Sequence, residues 1–180
     1  VTLDLSGAKP LKIVHPLRNG VLSDIAAARE LLQFVQSAIG SKFRIGRICP
    51  VIGVPADATQ PERRALATAA KDAGFGEPDL VAEPLLAAIG LGWNIDEPRG
   101  RMVVDCGAGT TEAAVIALGG ICTSKTVRQG GDALNQALMD HLQFRHRFQI
   151  GSSAAEALKL RLSEVLGSDD ADLRLDVPGL

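Results

Sequence analysis

The segment Met102-Val103-Val104-Asp105-Cys106-Gly107-Ala108-Gly109-Thr110-Thr111-Glu112 decides the fold. Residues 102–104 read as a strand that delivers Asp105 at its C-terminal end. Gly107, Ala108 and Gly109 make a tight turn, two hydroxyl residues follow, and the chain returns as a second strand. Small side chains let a backbone approach an anion closely and let several N–H groups point inward together. Thr110 and Thr111 add hydroxyl donors. Asp105 suits Mg²⁺ held through water, because that ion gives up its hydration shell reluctantly. A phosphate and a metal-holding carboxylate can therefore meet across one hairpin turn. No Gly-Lys-Ser/Thr follows, so this is not the P-loop pattern, and the glycines are not followed by a helix as in a Rossmann fingerprint. The same residues also suit a Gly-rich hairpin with a solvated aspartate.

Downstream, residues 113–118 and 121–127 read as strands joined by Gly119-Gly120, a two-residue hairpin signal. Gly130-Gly131-Asp132 opens a helix to about residue 144 with a mostly apolar stripe of Leu134, Leu138, His141 and Leu142. Ser153-Ala154-Ala155-Glu156 is a capping box for the next helix, and residues 172–177 alternate like a half-buried strand. Upstream, a turn falls at Asn19-Gly20, and Ser23 or Asp24 caps a helix to about residue 39. The apolar run 48–54 suits a strand covered on both faces. Thr59-Gln60-Pro61-Glu62 is a second capping box with Pro in the first turn. Residues 79–82 form a short strand, and Glu83-Pro84 opens a short helix. Alternating helices and strands followed by a hairpin place the chain in the α/β class.

Composition narrows the function classes. Nineteen Lys and Arg against 21 Asp and Glu leave a net charge of −2, with aromatics at 3%, in a chain of 180 residues. That balance lacks both the basic excess and the stacking side chains that nucleic-acid binding uses, so no nucleic-acid partner is expected. No apolar run reaches the roughly 18 residues of a transmembrane helix. Cys49, Cys106 and Cys122 sit in apolar runs without metal-ligand spacing, which suits buried reduced thiols in a cytoplasmic protein.

Several pieces together carry a family resemblance. They are Pro16-Leu17-Arg18-Asn19-Gly20-Val21, Val54-Pro55-Ala56, Ala58-Thr59-Gln60-Pro61-Glu62-Arg63-Arg64-Ala65, Glu83-Pro84-Leu85-Leu86-Ala87-Ala88-Ile89-Gly90, Met102-Val103-Val104-Asp105, Gly109-Thr110-Thr111-Glu112 and Gly130-Gly131-Asp132. In this order and spacing the chain resembles the bacterial actins of the MreB branch, with the magnetosome actins of the MamK type close by. Ala108 and Ile52-Gly53-Val54-Pro55 are similar to the latter. Cys106 departs from the aliphatic residue usual in this strand, a tolerable change because thiols pack as small hydrophobes.

The resemblance implies an actin-like (ribonuclease H-like) ATPase fold, incomplete at both ends. Residues 1–98 would be part of the first large subdomain, 99–135 the sheet that starts the second, and 136–180 part of a small subdomain. It implies ATP and Mg²⁺ as cofactors. Gly107, Ala108, Gly109, Thr110 and Thr111 resemble the second phosphate loop, and Asp105 the Mg²⁺-holding acid. Glu83 resembles the residue that orients the attacking water, assisted by Thr110. Gly130 resembles the glycine near the ribose, and Glu156 and Lys159 a pair that contacts the nucleoside. Taken alone, Glu83 also suits compensation of a helix dipole, and Glu156 the cap of Ser153. The implied function is an ATP-dependent, filament-forming cytoskeletal protein in cell shape or organelle positioning. Its partners would be further copies head to tail and the inner face of the cytoplasmic membrane or its proteins. The first phosphate hairpin and the adenine-closing glycine turn are missing; Asp4-Leu5-Ser6-Gly7 is a faint echo of the former. Two alternatives stay open: a nucleotide-free interaction module on the same scaffold, and another ATPase of the actin, heat-shock-chaperone and sugar-kinase superfamily.

Overall fold

The computed structural model describes residues 14–39 and 46–165. The strand expected at 172–177 and the Asp4–Gly7 echo lie outside the described residues. The rest falls into two compact units, one drawn from Val1–Ile52 and Ala58–Leu80, the other from Gly53–Asp57 and Val81–Leu180.

In the first unit, β1 (Leu17–Arg18) and β2 (Val21–Leu22) form a small hairpin. Asn19 and Gly20 both have positive φ, the pair of conformations that a tight hairpin turn demands. Helix α1 (Ile25–Ile39) is capped by Asp24, whose carboxylate accepts from the Ala27 N–H at 3.0 Å. Helix α2 (Gln60–Asp72) has the expected capping box: the Thr59 hydroxyl accepts from Glu62 N–H while the Glu62 carboxylate takes Thr59 N–H. The two helices pack through alanines; Ala28, Ala69, Ala70 and Ala73 are buried with Phe75. Strands β3 (Val51–Val54) and β4 (Asp79–Ala82) pair as a two-stranded sheet whose first halves belong to this unit and whose second halves belong to the other. The apolar run at 48–54 is thus not covered on both faces: Val51 is 61% exposed, because β3 has a single partner strand among the described residues.

In the second unit, α3 (Glu83–Gly90) lies on an antiparallel meander of β5 (Arg101–Cys106), β6 (Thr111–Ala117) and β7 (Gly120–Val127). Side chains alternate across a sheet, and the face toward α3 carries Val103, Ala114 and Ile116 against Ala88. Trp93 packs on this cluster with the Arg101 guanidinium 5.6 Å from its ring centroid. The other face leaves Met102 and Val104 exposed, and Cys106 and Cys122 too. All three cysteines are exposed, Cys49 included, which corrects the expectation of buried thiols.

The β6–β7 turn falls one residue earlier than Gly119-Gly120. Ala117 pairs with Gly120, so the loop is Leu118-Gly119, with φ of 53° and 77°. Leu118 is held in this unfavourable conformation because its N–H donates to Glu97 O at 3.0 Å and Gly119 N–H donates to Ile95 O at 2.9 Å. A left-handed leucine costs about 1 kcal/mol, and asparagine adopts the conformation more readily. Leu118→Asn should therefore raise the unfolding free energy by about 1 kcal/mol, read from urea denaturation.

Helices α4 (Gly131–His146) and α5 (Ser152–Val165) pack together. The buried residue of α4 is polar Asn135, while Leu134 and His141 of the expected stripe are exposed. The inward line runs through Asn135, Leu138 and Leu142, one position round the helix from the sequence expectation. Helix α5 starts at Ser152, with Ala155 N–H donating to Gly151 O, so the capping box at Ser153 does not form and the Glu156 carboxylate is turned elsewhere.

Candidate functional site

The 107–110 turn closes on itself through Gly107 N–H to Thr110 O at 2.9 Å. It also docks on the start of α4: Gly131 N–H donates to Gly107 O at 3.0 Å and Asp132 N–H to Ala108 O at 2.9 Å. These bonds satisfy donors that a helix N-terminus otherwise leaves free. The docking needs glycine at 130, where a Cβ would lie 2.3 Å from Gly107 O and 2.7 Å from Ala108 O. The N–H groups of Ala108, Gly109 and Thr110 have no hydrogen-bond partner among the described residues. Consecutive free N–H groups in a turn of small residues make an anion-binding concavity.

Beside the turn opens a cleft of about 390 Å³ lined by Cys106, Gly107, Ala108, Gly131, Asp132 and Leu134, with Glu156, Lys159 and Leu160 from α5 on its far side. Lys159 Nζ bonds Glu156 Oε2 at 2.7 Å and Gly131 O at 3.3 Å. Asn135 Nδ2 donates to the same Glu156 oxygen at 2.7 Å. The bond from Lys159, then that from Asn135, holds the Glu156 carboxyl below its ordinary range.

A second cluster lies on the sheet face toward α3. Asp105 and Glu112 are cross-strand partners on that face, and Glu83 is the first residue of α3. Glu112 is 1% exposed. Its Oε1 accepts from Ala56 N–H at 2.8 Å and from the Thr126 hydroxyl at 2.6 Å, whereas Oε2 is buried with no donor. Gly53 makes room for Glu83, since a Cβ there would sit 3.2 Å from Glu83 Cγ. Burial raises the Glu83 pKa first; the charges of Glu112 and Asp105, and a hydrogen bond to Glu112, raise it further. Glu83 donates in that bond only when protonated; ionised, the two carboxylates repel.

The structure therefore gathers Gly107, Ala108, Glu156 and Lys159 around the cleft, with Gly130 beneath the turn, and brings Glu83 and Asp105 together on the adjoining sheet face. Thr110 is buried in the turn. The Thr111 hydroxyl donates to Gln129 O at 2.8 Å and lies 3.4 Å from the Sγ of Cys106, a cleft-lining residue. Glu112 and Asn135 join these residues without a role predicted from the sequence. Each had a signal. Glu112 shares the period-two face of Ala114 and Ile116, and Asn135 shares the helical line of Leu138 and Leu142. A polar residue at an apolar position in the pattern marks a place where burial serves something other than the core.

The family profile described as MreB/Mbl protein matches residues 6–180. The chain belongs to the MreB/Mbl family. Among MreB relatives, the cell shape-determining protein MreB of Escherichia coli (strain K12) is 37% identical over 158 residues, 87% of this chain and 46% of its own length. The crystal structure of MreB 5 of Spiroplasma citri bound to AMPPNP superposes with a TM-score of 0.76 at 30% identity, over 85% of this chain and 46% of that one. The MamK double helical filament superposes with a TM-score of 0.68 at 31% identity, over 81% and 46%. This MreB/Mbl chain has the actin-like α/β fold of these neighbours and spans about half the length of the curated relatives it matches. Among the described residues no helix is long and apolar enough to cross a membrane.

The raised Glu83 pKa has a consequence for stability. Its carboxyl holds a proton more tightly folded than unfolded, so its contribution is full below the ordinary carboxylate range and is lost as pH rises through the raised value. Glu83→Gln removes that loss. Its stability relative to the parent should improve as pH rises above the ordinary carboxylate range, as read from urea midpoints.

Proposed function

We propose that this chain is the ATP-binding part of a filament-forming, actin-like cytoskeletal protein whose nucleotide hydrolysis is coupled to polymer dynamics. The observation that carries the proposal is the 107–110 turn, docked on the glycine start of α4 beside a cleft with Glu156 and Lys159 on its far side. Residues 107–111 would meet the phosphates, Gly130 would lie near the ribose, and Glu156 and Lys159 would meet the nucleoside. Asp105 would hold Mg²⁺: a single hard oxygen ligand beside the turn fits an ion that keeps most of its water, and the bound ion would neutralise phosphate charge. Glu83 would orient the attacking water, with Thr110 assisting, because phosphoryl transfer depends on positioning and charge stabilisation more than on covalent chemistry.

The neighbour bound to AMPPNP and the MamK filament support the reading. In it, residues 1–98, 99–135 and 136–180 belong to three subdomains, copies associate head to tail, and the assembly works in the cytoplasm along the inner face of the membrane. Among the described residues there is one phosphate turn, and two N–H groups of α4 are already spent on it. The chain's affinity for ATP should be no tighter than about 100 μM; micromolar binding by calorimetry contradicts this. Asp105→Ala should abolish any ATP dependence of assembly in light scattering. Assembly that is the same with and without ATP, and unchanged in Asp105→Ala, favours the nucleotide-free module instead.

A further inference from the structure

Asn135 is 5% exposed and is the buried residue of α4. Its Oδ1 is buried without a partner, a costly state for an amide. The two residues that continue its line inward, Leu138 and Leu142, are apolar, so packing alone would be better served by leucine at 135. What the amide does in exchange is donate to Glu156 Oε2 at 2.7 Å, beside Lys159 Nζ at 2.7 Å on the same oxygen. Two donors on one oxygen fix the plane of the carboxylate. Glu156 Oε1 has no donor among the described residues, and Glu156 lines the cleft. Lys159 reaches its position along a flexible four-carbon stem, whereas Asn135 stands on a packed helix with its side chain enclosed.

We propose that Asn135 is a positioning residue for the cleft: it locks Glu156 as an oriented acceptor whose second oxygen is left to meet hydroxyl or amino donors on the nucleoside end of a nucleotide. The nucleotide part rests on the function proposed above; the locking of Glu156 does not. The orphaned amide oxygen is then the stability cost of a functional geometry, as is usual where a site breaks a local rule.

The test uses the full 180-residue chain and its Asn135→Leu and Asn135→Asp variants. Carboxyl ¹³C NMR follows the titration of Glu156, and amide shifts on adding millimolar ADP report binding. Leucine has the same branched shape and removes the orphan, which offsets the crowding from its bulkier methyl groups, so Asn135→Leu should keep a urea midpoint close to that of the parent. Its Glu156 titration should move to higher pH, and ADP affinity should fall about fivefold. Asn135→Asp, which sets a second carboxylate against Glu156, should move that titration further in the same direction. Should Asn135→Leu fail to fold, Asn135→Asp alone decides through the same Glu156 signal. An unmoved Glu156 titration overturns the proposal. If ADP shifts no resonance of the parent chain, the nucleotide reading fails, while the titration still decides the role of Asn135. If ADP binds the parent and Asn135→Leu equally, the positioning role is wrong.

Discussion

Gly130→Ala is expected to cost about 3 kcal/mol of folding stability, more than any other single methyl addition among the glycines discussed above. The backbone at 130 has a negative φ of −151°, so alanine meets no conformational penalty of the left-handed kind. The cost is steric. The new Cβ would stand 2.3 Å from Gly107 O and 2.7 Å from Ala108 O, and both are backbone atoms that cannot swing aside like a side-chain tip. Relief requires lifting the 107–110 turn off α4. That breaks the bonds from Gly131 N–H and Asp132 N–H, each worth about 1 kcal/mol, and pulls apart one wall of the cleft. Gly90→Ala is the control: it lies in α3 with nothing within 4 Å of its added Cβ, and it should be neutral or slightly stabilising. Urea denaturation of the two variants measures the contrast. A Gly130→Ala protein within 1 kcal/mol of the parent would mean that the turn does not dock on α4.

Glu112→Leu should be destabilising by about 2–3 kcal/mol, because it strands two donors in an apolar setting. Ala56 N–H and the Thr126 hydroxyl both give their bonds to Glu112 Oε1, and leucine offers neither an acceptor nor room for water in its place. Glu112→Gln separates this role from the charge. The glutamine oxygen still accepts both bonds, and its amide can donate to Glu83 where the carboxylate repelled it. At neutral pH Glu112→Gln should equal or exceed the parent in stability by up to about 1 kcal/mol, with Glu83 titrating closer to the ordinary carboxylate range. Urea midpoints at pH 7 and carboxyl ¹³C titration of Glu83 check the two halves separately. Equal losses for leucine and glutamine would show that the negative charge itself, and not the pair of accepted bonds, is what the fold requires.

Features set by near neighbours in the chain were legible without coordinates. The Asn19-Gly20 turn, the Thr59-Glu62 capping box, the starts of α2 and α3 and the meander around residues 101–127 follow from turn chemistry, capping and the period of apolar residues, all of which act over a few positions. Local signals misled where a tertiary contact outweighed them. Two carbonyls of the 95–97 segment hold Leu118 at positive φ and shift the hairpin by a residue, although Gly119-Gly120 is the better turn sequence. Ser153 and Glu156 have capping spacing, yet Glu156 bonds Asn135 and Lys159, an ion pair that the cap cannot match. The cysteines sit in apolar runs, yet all three are exposed: Cys106 and Cys122 lie on the sheet away from its packed face, and Cys49 precedes β3.

By itself the sequence determined the α/β class, the family, and the turn of small residues flanked by Asp105 and two threonines, because each is written in residue types at short fixed spacings. Only the tertiary structure decided what the charged groups face. Ala56 and Glu112 are 56 positions apart, and Asn135 and Glu156 are 21 apart. No spacing rule spans such distances. The raised pKa of Glu83, the lowered pKa of Glu156 and the steric demand at Gly130 all come from atoms brought together through space, where burial and Coulomb interaction act without regard to chain order.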